Sequence, residues 1–137
     1  MQGVKAMFSG RCQCGAIHYE AQGEPAYSAL CHCSDCRKSA GAPMVGWALF
    51  PEEQVTVTGR PVAYRSSDNV TREFCGTCGT GLFYRNAAVF PGMIDIQTGT
   101  LDDQSNLPPA IHVQFAEAAP WMEGAHQLPK FQRYPEA

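Results

Sequence analysis

The chain carries seven cysteines in three groups whose spacings suit metal ligation. They are Cys12-x-Cys14 in GRCQCG, Cys31-x-Cys33-x-x-Cys36 in CHCSDCRKSAGAP, and Cys75-x-x-Cys78 in FCGTCGTG. Tetrahedral thiolate sites take cysteines in fours, so seven make one complete set and leave three over. Residues i and i+2 of an extended strand point to one side, so Cys12 and Cys14 can aim both sulfurs at one ion. Cys75-Gly-Thr-Cys78-Gly reads as a zinc knuckle, with Gly76 and Gly79 letting the backbone turn tightly beside the sulfurs. These four thiolates make a closed site of the structural type. The two pairs stand roughly sixty residues apart, so an ion shared between them converts binding energy into folding energy.

Cys31, Cys33 and Cys36 remain. A zinc site with three protein ligands keeps its fourth position for water or substrate, which is the catalytic pattern. A short helix predicted from Ser34 as N-cap, through DCRKSA to a stop at Gly41 and Pro43, places Cys36 in the first turn. There the helix dipole favours a thiolate, and Arg37 and Lys38 add positive potential. Two other readings stay open. A histidine (His18, His32, His112 or His126) closes the site and makes it structural, or the three thiols hold no metal. His32 lies between two ligands and would point away from them in an extended stretch. Three thiolates on a Zn²⁺ leave one net negative charge, so a soft thiolate suits the fourth corner better than hydroxide.

Short segments with strand character surround these groups: 16–21, 44–50, 54–59, 61–67, 70–75, 81–86, 93–99 and 111–116. QVTVTG and IHVQF alternate with period two, as half-buried strands do. Strands at this spacing, punctuated by glycine and proline, predict a mainly β fold, a sandwich or an open barrel. The aromatic, proline-bearing tail APWMEGAHQLPKF is expected to wrap the strands without regular structure.

The 137 residues fit one domain, 1–137, with residues 1–8 expected to be a loosely ordered N-terminus. A formal charge of −3 and the lack of a basic run argue against nucleic acid or an anionic membrane surface as partner. MQGVKAMFSG lacks the apolar segment of a signal peptide, and APMVGWALF is too short to span a bilayer. The expectation is a cytoplasmic protein, where reduced cysteines act as ligands or reactive thiols before disulfides.

GRCQCGAIHYEA, CHCSDCRKSAGAP, FCGTCGTGLFYR, TGTLDD and APWMEGAHQLPKF, in that order, resemble the glutathione-dependent formaldehyde-activating enzyme family, which includes centromere protein V. The resemblance runs from about Ser9 to Tyr134. It implies a β-tent-like fold of twisted antiparallel sheets around a structural zinc, with one short helix near the second cysteine cluster. It also implies two zinc ions, the structural one on Cys12, Cys14, Cys75 and Cys78 and the catalytic one on Cys31, Cys33 and Cys36. The implied activity is that of a carbon–sulfur lyase. Glutathione, or another small thiol, adds to formaldehyde or another small aldehyde to give S-hydroxymethylglutathione or a related adduct. The same residues also admit a non-catalytic zinc-binding interaction module, or a redox and metal-buffer role for Cys31–Cys36.

No motif marks the groups that would contact glutathione. Arg37, Lys38, Arg65, Arg72 and Arg85 are candidate donors to its carboxylates, each weighed against a solvated surface charge. Trp121 either walls the pocket or sits in the core. Tyr84 is read as a buried strand aromatic with a hydroxyl within possible reach of the open site. Asp102 and Asp103 read better as a turn than as an acid–base pair. His112 faces either the site or solvent.

Overall fold

A computed structural model describes residues 6–135. Ten strands and one α-helix carry the architecture: β1 (Met7–Arg11), β2 (His18–Gln22), β3 (Tyr27–Cys31), α1 (Ser34–Ala40), β4 (Val45–Pro51), β5 (Val55–Thr58), β6 (Val62–Ser67), β7 (Val70–Phe74), β8 (Gly81–Asn86), β9 (Met93–Gln97) and β10 (Ile111–Val113). They form a three-stranded sheet, β1-β2-β5, and a seven-stranded sheet, β10-β3-β4-β9-β8-β7-β6.

The mainly β reading holds, with one difference. The pairs are antiparallel except β10, which runs parallel to β3. A parallel partner needs a crossover, and the long connection after β9, containing the 3₁₀ turns Thr98–Thr100 and Gln104–Asn106, supplies it. Two strands had too little sequence signal to stand out. β1 reads MFSGR and β3 reads YSALC, without the β-branched residues that mark strands. The expected loose N-terminus is corrected in part. Positions 1–5 lie outside the described residues, but Met7 and Phe8 belong to β1, and Phe8 is buried against Phe50. The tail is also more regular than expected, since Pro120–Gln127 forms a 3₁₀ segment.

One face of the large sheet packs on the small one. Tyr19 and Ala21 from β2 meet Ala48, Phe50, Phe83, Ile94 and Ile96, all nearly inaccessible. Each large side chain buried there contributes about 1.5–3 kcal/mol. The opposite face carries a second cluster of Cys31, Cys36, Val45 and Trp47, bordered by Cys33, Tyr84 and Val113. Helix α1 sits over this face beside β4. The two cysteine groups thus fall in different places, one at the edge of the intersheet core and one on the outer face of the large sheet.

Candidate functional site

The first and third cysteine groups converge. The sulfurs of Cys12, Cys14, Cys75 and Cys78 lie within 4.8 Å of one another. Cys12 and Cys14 are 3.7 Å apart, and Cys14 and Cys75 are 3.8 Å apart. Sulfurs at the corners of a tetrahedral zinc site with bonds of about 2.3 Å stand ~3.8 Å apart, so the donor set fits that ion. Backbone N–H groups of Ile17 and Cys78 donate to Cys12 and Cys75 Sγ, as they would to thiolates. The hydroxyl of Thr80 lies 3.2 Å from Cys78 Sγ, and its hydrogen bond holds that thiol down at about 5. The knuckle turns on Gly79, at φ +83. The other left-handed glycine of the cluster is Gly15, not Gly76. Cys12 and Cys75 are part of the intersheet core, so this cluster pins the β1–β2 turn to the β7–β8 turn.

The second group forms a three-membered cluster, Cys31, Cys33 and Cys36, with sulfurs again within 4.8 Å. Cys31 ends β3, and α1 delivers Cys36. The N-cap of the helix is Cys33, one residue before the expected Ser34. Its sulfur accepts the Cys36 N–H at 3.3 Å, doing the task usually given to a hydroxyl. Ser34 instead donates its N–H to Glu117. The helix ends on Gly41 at φ +64, as its sequence indicated. Cys31 donates to Cys36 at 3.7 Å. That bond, with help from Cys33 and the Arg72 guanidinium against the cost of burial, holds Cys36 down at about 5, while Cys31 is pushed up. The sulfur spacing and the lowered pKa of Cys36 suit a soft divalent ion.

No histidine joins this cluster among the described residues. His32 is fully buried on the other side of β3 and its extension, with Nε2 2.9 Å from His112 Nδ1 and Phe115 edge-on. His112 therefore faces His32 and not the cysteines. His18 is exposed on β2, and His126 lies in the 3₁₀ tail.

The cluster opens into a cavity of about 620 Å³, within the usual range of small-molecule sites. Its base is one row of the large sheet. Tyr27 pairs with Leu49, Leu49 with Asp95, Asp95 with Tyr84, Tyr84 with Arg72, and Arg72 with Tyr64. Directly paired residues share a face, so six strands present one level of side chains beneath the cysteines. Arg72 is only 8% exposed. Its two terminal nitrogens approach Cys36 Sγ at 3.9 and 3.8 Å, and its guanidinium stacks 5.0 Å above the Tyr84 ring. Trp47 packs against Tyr84 and walls the cavity.

Of the five cations singled out in the sequence, Arg72 and Lys38 line the cavity. The others are engaged elsewhere: Arg37 with the His32 carbonyl, Arg65 with the Asp68 carbonyl, and Arg85 with Glu52 and Glu73. Trp121 belongs neither to the core nor to the wall of this cavity. It is 56% exposed beside Leu128. Tyr84 is a strand aromatic only half-buried, because its ring forms a cavity wall, and its hydroxyl accepts from Asn86. Asp102 and Asp103 have turn roles, the first accepting from Ser9 and the second capping Gln104–Asn106. Sequence reasoning missed Tyr27, Trp47 and Asp95. A signal existed only for Asp95, an acidic residue inside the apolar run MIDIQ.

Comparison with known proteins agrees with the geometry. The family model described as "Glutathione-dependent formaldehyde-activating enzyme" matches residues 7–117. A Schizosaccharomyces pombe protein named only as an uncharacterized lyase is 32% identical over 77 residues, 56% of this chain and 56% of that protein. A Fusarium vanettenii protein, provisionally named as a glutathione-dependent formaldehyde-activating enzyme, is 34% identical over 88 residues, 58% of this chain and 47% of that one. The chain thus spans about half the length of the curated relatives it matches. A crystal structure of a Rhodobacter sphaeroides protein superposes with a TM-score of 0.57 at 23% identity, covering 77% of this chain and 99% of its own, which supports the fold alone. With a match over most of its length and both cysteine clusters assembled, the chain belongs to the glutathione-dependent formaldehyde-activating enzyme family.

Proposed function

We propose that the chain is a zinc-dependent carbon–sulfur lyase that makes and breaks the adduct of a small thiol with a small aldehyde, glutathione and formaldehyde being the leading pair. The observation that carries this reading is the three-sulfur cluster lining a cavity, with no fourth side-chain ligand among the described residues. Cys12, Cys14, Cys75 and Cys78 hold the structural ion. Cys31, Cys33 and Cys36 hold the second ion, which when bound supplies a Lewis-acid position able to lower a thiol pKa or polarise a carbonyl.

The remaining work falls to the chain. Arg72 places a buried positive charge beside Cys36, where an incoming thiolate gains from it. The rings of Trp47, Tyr84 and Tyr27 exclude water from the reacting atoms, which strengthens every charge interaction there. Lys38 on the rim suits a glutathione carboxylate, and Asp35 suits its ammonium group.

The test is exchange spectroscopy by NMR on mixtures of glutathione and ¹³C-formaldehyde with catalytic amounts of the purified full chain. Faster interconversion of formaldehyde and S-hydroxymethylglutathione, lost in Cys31→Ser with the fold retained, supports the reading. An unchanged rate with metal-replete protein rejects glutathione–formaldehyde exchange as its activity.

A further inference from the structure

Asp95 lies at the centre of the cavity row and is only 3% exposed. Its strand neighbours Ile94 and Ile96 turn into the intersheet core, so Asp95 faces the cysteine side. A carboxyl in that position loses its hydration, and a structural one normally collects donors on both oxygens. This one does not. Oδ2 accepts from the Tyr27 hydroxyl at 3.3 Å, while Oδ1 is buried with no hydrogen-bond partner among the described residues. Arg72, the nearest cation of the row, is turned to Cys36 and the Tyr84 ring.

The groups facing Asp95 come from every element around it: Tyr27 from β3, Tyr84 from β8, Cys36 from α1 and Arg72 from β7 beyond the Tyr84 ring, with apolar Leu49 opposite on β4. With Oδ2 taken by Tyr27, a proton on the carboxyl resides on Oδ1, the oxygen left for a ligand. Burial pushes the carboxyl up to about 7, the Cys36 charge adding to the rise and the Tyr27 hydrogen bond opposing it. Both protonation states are then populated near neutrality, as a proton shuttle requires.

We propose that Asp95 is the general acid–base of this site, taking the proton of the thiol and returning it to the aldehyde oxygen. The proposal rests on the thiol–aldehyde reading above. In the forward direction the S–H bond breaks and its proton passes to Asp95 Oδ1. The sulfur electron pair forms the C–S bond, and the C=O π pair moves to oxygen. The Asp95 proton then forms the O–H bond of the hydroxymethyl product. The reverse sequence cleaves the adduct, and no oxidant or reductant enters.

The experiment measures glutathione–formaldehyde exchange by NMR from pH 5 to 9 with metal-loaded wild type, Asp95→Asn and Asp95→Glu. In parallel, the Asp95 side-chain carboxyl of ¹³C-labelled wild type is titrated. The expected results are about a 10²–10⁴-fold slower exchange in Asp95→Asn, loss of the inflection near pH 7, partial recovery in Asp95→Glu, and a carboxyl resonance that titrates near 7. Metal content and glutathione binding should stay unchanged. Wild-type exchange rate and pH profile in Asp95→Asn overturn the role of Asp95 alone. A carboxyl titrating near its ordinary value of about 4 does the same even if both variants misfold. Absence of acceleration in wild type overturns the thiol–aldehyde reading and this proposal with it.

Discussion

Replacing Arg72 with methionine isolates what its buried charge does. Methionine keeps most of the side chain's length and fills the space over Tyr84, so the change removes the guanidinium and little else. In the native chain that group has no carboxylate partner among the described residues. Its counter-charge is the Cys36 thiolate at 3.8–3.9 Å. Groups that hydrogen-bond a metal ligand typically set metal affinity by 10–100-fold. At about 1.4 kcal/mol per decade, the expected loss at the three-cysteine cluster is roughly 1.4–2.8 kcal/mol. The four-cysteine cluster has no contact with Arg72 and should keep its metal. Stability of the metal-free chain should change little or rise, because a buried ion pair exchanged for apolar volume is often neutral or favourable. The assay is competition with a chromophoric chelator, which resolves the two sites as two phases. Arg72→Met should move the weaker phase 10–100-fold and leave the tighter one in place. An unmoved weaker phase, or equal loss from both, would refute the assignment of Arg72 to the Cys36 thiolate.

Four further outcomes follow from the geometry. Cys75→Ser should abolish stable folding, seen as loss of the thermal transition in circular dichroism, because it opens the cluster that ties the β1–β2 turn to the β7–β8 turn. Cys31→Ser should leave that transition nearly intact, since it touches only the outer face. Gly79→Ala should cost about 1–2 kcal/mol, measured by denaturant unfolding, because the knuckle needs φ +83 there. Asp95 makes stability depend on pH with a definite sign. Its folded pKa lies above the unfolded one, near 7 against 3.8, so the folded state holds the proton longer. Its contribution is intact below about pH 4 and is lost as pH rises to 7. At about 1.4 kcal/mol per pKa unit, the cost reaches roughly 4 kcal/mol. Asp95→Asn should therefore unfold at a higher temperature than wild type at pH 8, with the gap closing at pH 4. A gap independent of pH would show that the carboxyl is not charged in that window.

The cysteine partition was legible in the sequence because ligand spacing is a local property. A C-x-x-C turn puts two sulfurs on one corner, and the C-x-C pair does the same from the β1–β2 turn rather than from the extended strand expected for it, since β1 ends at Arg11 and Gly15 N–H closes a turn on the Cys12 carbonyl. The same locality made most strands, the stop at Gly41 and the turn roles of Asp102 and Asp103 readable. The N-cap was missed by one residue because a cysteine sulfur took the place usually filled by a serine hydroxyl. β3 was missed because YSALC is buried on both faces and so has no alternation to detect.

The identity of the cavity lining depended on the fold. Tyr27, Trp47, Asp95, Tyr84 and Arg72 are scattered over β3, β4, β9, β8 and β7, and only strand order and register bring them to one face. Register is a long-range choice, made by which faces bury together, and one residue of slip would send each of these side chains to the opposite face. For that reason five cations looked alike in the sequence while the fold selects Arg72 and Lys38 for the cavity. The sequence by itself determined how the seven cysteines divide into a group of four and a group of three, because that chemistry is written in short spacings. Only the tertiary structure decided what stands opposite them, because that depends on pairing between strands distant in the chain.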